Sequence, residues 1–318
     1  MLRHTVLAAA LLLTAPTCFA SGQVASLDVR LLSTMLTADE GYGEWGFAAL
    51  VVADGHRILF DTGAHPDTVL RNVRELHIDL SNVPDVILSH HHLDHTAGLV
   101  TLRREYVKSN PAALARAYVG AGIFLSRTGG AALEANPMIA AKTAYESAGG
   151  VFISCNQPRE LYPGVWLTGP VPRKYPEKNW SPGRMLRLSD GSTTEDNLPE
   201  DQSLVIVTDK GLVVISGCGH SGIINTLDYA RAKVAPAPIY AALGGFHLYR
   251  ASDETLAWTA SKLKEFGLRN FLGAHCTGIE AVYRLRQLTG LDRRTAAVGA
   301  VGGGFNLASG LDPGSIAR

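Results

Sequence analysis

The chain has no surplus of charge. Lysine plus arginine number 29 and aspartate plus glutamate number 29, so the formal net charge is zero. Without a basic stripe the electrostatic footprint of a nucleic-acid binder is missing. Beyond the first twenty residues no segment is long and apolar enough to cross a bilayer, and no repeat of 20 to 50 residues stands out. The Gly-rich stretch near Gly302 lacks the following lysine and strand–loop–helix setting of a phosphate-binding loop, and no serine-nucleophile motif competes with it. Cysteine is scarce, with four residues in 318. One of them, Cys18, lies in the segment MLRHTVLAAALLLTAPTCFASG. Arg3, the apolar run Val6 to Leu13 and the small residues around Ala20 have the layout of a secretory leader cut after Ala20. Residues 1–20 are therefore expected to be a signal peptide, and the mature protein periplasmic or secreted with no stable membrane insertion. Cys155, Cys218 and Cys276 then remain, an odd number for an oxidising compartment, so at least one thiol is free or metal-bound in a monomer. Whether Cys155 and Cys276 pair stays open.

From Leu27 onward short apolar runs alternate with turn residues and amphipathic helices. Asp54-Gly55 signals a hairpin, and Asp209-Lys210-Gly211 another. Val69, Val73 and Leu76 share one face of a helix. Helices follow from Gly222 to about Val234 and through Leu256, Leu263 and Phe266, and a last one through Val282 and Leu285. Strands alternate with helices but hairpins are mixed in, so neither an all-parallel barrel nor an all-β sandwich fits. Residues 21–318 read as a single α/β domain. The span from 101 to 200 reads as an insertion or lid.

The strand VPDVILS delivers the chain into SHHHLDHTAG, which holds four of the eleven histidines. His90, His92, Asp94 and His95 form H-x-H-x-D-H. Two imidazoles at i and i+2 can face one metal ion, and the Asp–His pair, displaced by a turn, can reach a second. Imidazole and carboxylate suit zinc, and also iron or manganese.

This motif, preceded by LFDTG with Asp61, resembles the metallo-β-lactamase-fold metallohydrolases. Within them, GCGHSGIINTL, GGFHL and HCTG are similar to the subgroup named after the dihydropterin aminobenzene-phosphate synthase. The resemblance runs from about Leu27 to the C-terminus. It implies an αββα sandwich of two mixed sheets, with a binuclear site at one edge. His90 and His92 would hold one ion, and Asp94, His95 and His275 the second. Most of the superfamily ends the later strand with an aspartate. Here Cys218 stands there, with His220 two residues on, so Cys218 is either a thiolate ligand or a small buried residue, and His220 completes the first shell. The usual upstream histidine is absent, and EDNLPEDQSL offers only carboxylates such as Asp201. Asp94 would orient a metal-activated hydroxide, and Asp61 would fix a ligand-bearing loop from behind. His247 in GGFHL would contact substrate or donate a proton, or else cap a turn. Glu44 and Trp45 in GYGEWGF would line the cleft.

These readings lead to an exported hydrolase with two divalent ions, most simply zinc. Its substrate would be a small ester, lactone or phosphoester. Two rivals stand beside it: an iron-dependent dioxygenase-type enzyme on the same ligand set, and a non-catalytic metal- or ligand-binding protein.

Overall fold

A computed structural model describes residues 22–128, 134–188 and 190–315. The expected leader lies outside them. In the first sheet the strands run in the order Gly310–Asp312, Gly304–Asn306, Leu27–Ser33, Ala48–Ala53, His56–Phe60, Asp85–Leu88, Arg116–Gly120 and Val151–Cys155. The second is ordered Ala296–Val298, Asn270–Gly273, Ile239–Gly244, Gly211–Ser216, Leu204–Thr208, Val165–Leu167 and Arg159–Tyr162. Both mix parallel and antiparallel pairs.

The strands are apolar on both faces because both faces are covered. Val29, Leu31, Val51 and Phe60 of the first sheet meet Val213, Ile215, Leu243 and Leu272 of the second in one inner core. The alternate residues point outward. Leu50, Leu59 and Val86 pack under the helices Thr68–Glu75, Leu99–Tyr106 and Pro137–Ser147. Val205, Val214 and Ala242 pack under Ile223–Lys233, Asp253–Glu265 and Ile279–Thr289. Helix, sheet, sheet, helix is the αββα sandwich expected from the sequence.

Local chemistry explains the turns. The Asp54-Gly55 hairpin has φ of 45° and 85° at its two central residues, the backbone a two-residue primed turn requires. Thr208 pairs with Gly211 across the second expected hairpin. The helix Ile223–Lys233 stops three residues before Pro236, and Ser252 caps Asp253–Glu265 through the Thr255 amide.

The span 101–200 is divided rather than inserted as one piece. Arg116–Gly120 and Val151–Cys155 extend the first sheet, and Arg159–Tyr162 and Val165–Leu167 extend the second. Only the parts around a small sheet of Ser126–Thr128, Met185–Arg187 and Thr193–Glu195, with the Pro-rich loop before it, stand over the rim. The sequence alone could not separate these because its strands are short and sit among Gly- and Pro-rich turns.

Candidate metal centre

The motif loop is built on Asp61. The strands His56–Phe60 and Asp85–Leu88 run parallel and side by side, so the residues just past their ends share one rim. Asp61 adopts a left-handed backbone, φ 56°, and is fully buried. Its Oδ1 accepts the Ser89 amide at 2.7 Å. Its Oδ2 accepts the Ser89 hydroxyl and the His95 Nδ1–H, each at 2.7 Å. A carboxylate can only accept, so Nδ1 carries the proton and Nε2 of a neutral His95 is left as the free donor. The His95 carbonyl is held in turn by the Thr62 amide at 2.7 Å and its hydroxyl at 3.0 Å. Two glycines let these pieces close. A β-carbon on Gly98 would stand 2.3 Å from the Thr62 carbonyl oxygen, and one on Gly217 would stand 2.2 Å from Ser89 Oγ and 2.5 Å from Asp61 Oδ2.

Two groups of donor atoms converge here. His90, His92 and His220 form the first, and Asp94, His95, Cys218 and His275 the second. Within each group the donor atoms lie within 4.8 Å of one another. His90 Nε2 is 3.0 Å from His92 Nδ1, and the His220 ring centroid is 4.6 Å from that of His90. In the second group His275 Nε2 is 3.3 Å from Asp94 Oδ2, and His95 Nε2 is 3.2 Å from Cys218 Sγ. Cys218 also groups with His220 and His247, so it stands between the two sets. Every metal residue expected from the sequence is thus brought to one rim.

The donor set suits divalent cations. The buried Nε2 of His220 and Nδ1 of His275 have no hydrogen-bond partner, which is costly unless something else fills the role. The His220 Nδ1–H is taken by the Asn179 carbonyl, which aims the free Nε2 inward. Burial, reinforced by neighbouring imidazoles, drives His90 and His220 far below the usual histidine range and His92 to about 3, so their lone pairs stay free. Burial pushes Asp94 up, but His95 and His275 overcome it and hold the carboxyl well below its ordinary value. Burial also opposes charging His95, yet Asp94 and Asp61 raise it to about 9, so a cation binding at Nε2 would have to displace a proton there. Burial pushes the Cys218 thiol up, so it would ligate only as a thiolate created by the metal itself.

The rim opens into a cleft of about 490 Å³ whose lining includes His92, His220, His247, Asn136, Ser181 and Arg184. A neighbouring groove of about 720 Å³ shares His247 and Ser181 and carries Trp180, Tyr249 and Trp258. His247 has a left-handed backbone, φ 50°, and its ring centroid is 4.7 Å from that of His220. Trp45 is exposed, edge-on to His275 at 5.0 Å and to Tyr249 at 5.5 Å. Glu44 is placed otherwise than the sequence suggested. It is buried, and its carboxylate accepts the Ser33 hydroxyl at 2.6 Å and the amides of Ala64 and His65 at 2.9 and 3.0 Å. It clamps the segment after Asp61 instead of lining the cleft. Cys155 and Cys276 do not pair: Cys155 ends an outer strand, and Cys276 Sγ lies 3.1 Å from Cys218 Sγ.

Three features were given no role by the sequence reading. His91, between the two expected ligands, gives its Nδ1 to Glu200 at 2.8 Å, and Glu200 takes Arg127 on its other oxygen at 2.7 Å. Asp201, next in the chain, accepts the Ser221 amide at 2.8 Å, and burial raises its carboxyl to about 6. Glu177 accepts the amides of Ile224 and Asn225, docking the Pro-rich loop on the helix that follows His220. Only the acidic run before Ser203 signalled any of this, because lone residues in irregular segments show no period.

Fold and site together define a metallo-β-lactamase-type protein. The family model for the metallo-beta-lactamase superfamily matches residues 46–129. The chain is 32% identical over 234 residues to the 7,8-dihydropterin-6-methyl-4-(beta-D-ribofuranosyl)-aminobenzene-5'-phosphate synthase of Methanocaldococcus jannaschii, covering 71% of this chain and 76% of that one. It therefore belongs to the metallo-β-lactamase superfamily. An uncharacterised protein of the same archaeon is 29% identical over 82% of this chain and 94% of its own. Among solved structures, Tm1679, described as a metal-dependent hydrolase of the beta-lactamase superfamily, aligns at 26% identity with a TM-score of 0.70. That alignment covers 88% of this chain and 98% of its own.

Proposed function

We propose that the protein is an exported metal-dependent hydrolase holding two divalent cations, zinc in the simplest case, and acting on a small ester, lactone or phosphoester. The observation that carries this reading is the abutment of two donor groups on one open rim, with Cys218 between them. His90, His92 and His220 would hold one ion, and Asp94, His95, Cys218 and His275 the other. Bound there, the cations would supply Lewis acidity, making water acidic enough to attack near neutral pH and stabilising negative charge on the substrate oxygen.

The rest falls to the chain's own side chains. Asp94 is the part-exposed carboxylate of the second group, and its ionised oxygens can orient a water by accepting its hydrogen bond. His247 lines both cavities, where its ring would contact a substrate or leaving group. Asp61 sets the His95 tautomer and the Asn179 carbonyl sets that of His220. Trp45 and Tyr249 would wall the entrance. The leader sequence supports export, and no described helix is long and apolar enough to cross a membrane.

The 32% identical relative is named as a synthase, so a synthase-type reaction on this site is the second reading. The test is metal analysis of protein purified without added metal, followed by turnover of aryl phosphates, phosphodiesters, lactones and esters. Zinc near two equivalents with chelator-sensitive hydrolysis is expected. Stoichiometric iron with oxygen uptake, or a fully metallated protein inert to the whole panel, would overturn the hydrolase.

A further inference from the structure

Cys218 and Cys276 follow strands that are not neighbours. Gly211–Ser216 and Asn270–Gly273 flank Ile239–Gly244 from opposite sides. The two thiols meet across the end of that middle strand, where the chain continues through Gly245. A β-carbon on Gly245 would stand 1.8 Å from the Gly217 carbonyl oxygen and 3.1 Å from Cys276 Sγ. The missing side chain lets this strand end close against the Gly217 backbone, beside the Cys276 sulfur. They lie 3.1 Å apart, both almost wholly buried, and the His247 amide points at Cys276 Sγ from 3.3 Å. A disulfide needs about 2.05 Å, so closing the bond takes about 1 Å of movement. Cys218 lies directly behind His220 and His247, which line the cleft.

We propose that Cys218 and Cys276 form a reversible disulfide that withdraws Cys218 from the donor group it shares with Asp94, His95 and His275. With hydrogen peroxide the two S–H bonds are lost, the S–S bond forms, and the cleaved O–O bond leaves as two waters. A dithiol restores both thiols by exchange through a mixed disulfide. A sulfur in a disulfide cannot become the thiolate that binds metal. Export would place the pair where such oxidation occurs. The withdrawal step rests on the reading of Cys218 as a donor given above; the crosslink does not.

The full chain, purified reduced, would be treated with hydrogen peroxide in zinc-loaded and zinc-free form and mapped by mass spectrometry. The expected product is a Cys218–Cys276 crosslinked peptide, an intact mass lower by two hydrogens, reversed by dithiothreitol. Zinc retention should fall by about 10- to 100-fold or more, since even residues that only support a ligand cost that much. Cys276→Ser should give no crosslink and keep its zinc through the same treatment. Should that variant misfold, Cys276→Ala replaces it, and the peptide map of the unaltered chain decides in any case. Oxidation that yields only sulfinic acids, or that pairs Cys155, overturns the proposal. So does a crosslink that leaves zinc retention unchanged. An inert reduced, zinc-loaded protein that still forms the crosslink and loses zinc would sink the hydrolase reading and leave this one standing.

Discussion

The two sides of the candidate metal centre are held in different ways. His90, His92, Asp94 and His95 come from one turn of chain, and hydrogen bonds to protein already fix that turn. Asp61 takes Ser89 and His95, Thr62 takes the His95 carbonyl, and the Phe47 amide takes the Asp94 carbonyl at 3.1 Å. Cys218, His220, His247 and His275 come from three separate loops, and left-handed backbone recurs there at Gly219, His247 and His275. Ring nitrogens of all three histidines are buried without partners. The near side is preorganised by the protein, whereas the far side keeps its donors unsatisfied for a ligand. Backbone strain and orphaned donors of this kind persist where surrounding structure and function maintain them.

The largest expected effect lies on the near side. His92→Ala removes a proposed direct donor and, among hydrogen bonds, only the contact with His90 Nε2. Metal affinity should fall by more than about 100-fold, beyond what loss of a supporting residue costs, and turnover should vanish with it. Circular dichroism should stay unchanged. Metal content equal to that of the unaltered protein would remove the motif loop from the site. Next comes Asp61→Ala, which strands the Ser89 amide and the His95 Nδ1–H in a buried place and leaves the Ser89 hydroxyl only His90 Nδ1, 2.9 Å away. Each lost partner costs on the order of 1 kcal/mol or more, so the unfolding free energy should drop by about 2–4 kcal/mol. Metal affinity should fall about 10- to 100-fold at the same time. A variant of unaltered stability would mean that the near side is not held from behind.

That asymmetry also decided how much of the site the sequence showed. The near side is contiguous, so its spacing alone suggested a metal, and LFDTG supplied its support. Single strands were legible for a similar reason, because strands covered on both faces read as unbroken apolar runs such as LVIVT and GLVVIS, whereas their assembly into an αββα sandwich was reached only through the resemblance. The far side was reached only through the resemblance, since His220 and His275 lie 55 residues apart and nothing local ties them together. Glu44 was misjudged because a Gly-flanked Glu-Trp pair looks exposed, yet only Trp45 is. The Glu200–His91 contact spans 109 residues, beyond any pattern.

Metal removal should separate the two sides directly. With the cations chelated, amide exchange should accelerate around 217–222 and 274–278 by about tenfold or more, equivalent to about 1.4 kcal/mol of local stability. The segment 89–96 should change less, because its hydrogen bonds do not depend on the ion. Equal acceleration on both sides, read by exchange mass spectrometry, would abolish the distinction.

The smallest effect concerns what braces the far side. Glu177 sits in the Pro-rich loop whose Asn179 carbonyl orients His220, and it docks on the amides of Ile224 and Asn225. Burial raises its carboxyl from the ordinary 4.5 to about 7, against the lowering effect of those amides. A folded-state value above the unfolded one means that the protonated form is favoured in the fold. Its stabilising contribution is complete below pH 4.5 and is lost as the pH rises through 7. The full swing from 4.5 to about 7 amounts to at most about 3.4 kcal/mol. Glu177→Gln cannot ionise and offers one oxygen where the carboxylate has two. It should therefore cost about 1 kcal/mol at pH 4.5 and recover against the unaltered protein as the pH rises to 8. Other buried acids such as Asp201 titrate in both proteins and cancel from the difference. Denaturant midpoints measured across that range would give the comparison. Parallel profiles would show that Glu177 is ionised throughout and that the loop is held by charge at the helix end rather than by a neutral hydrogen bond.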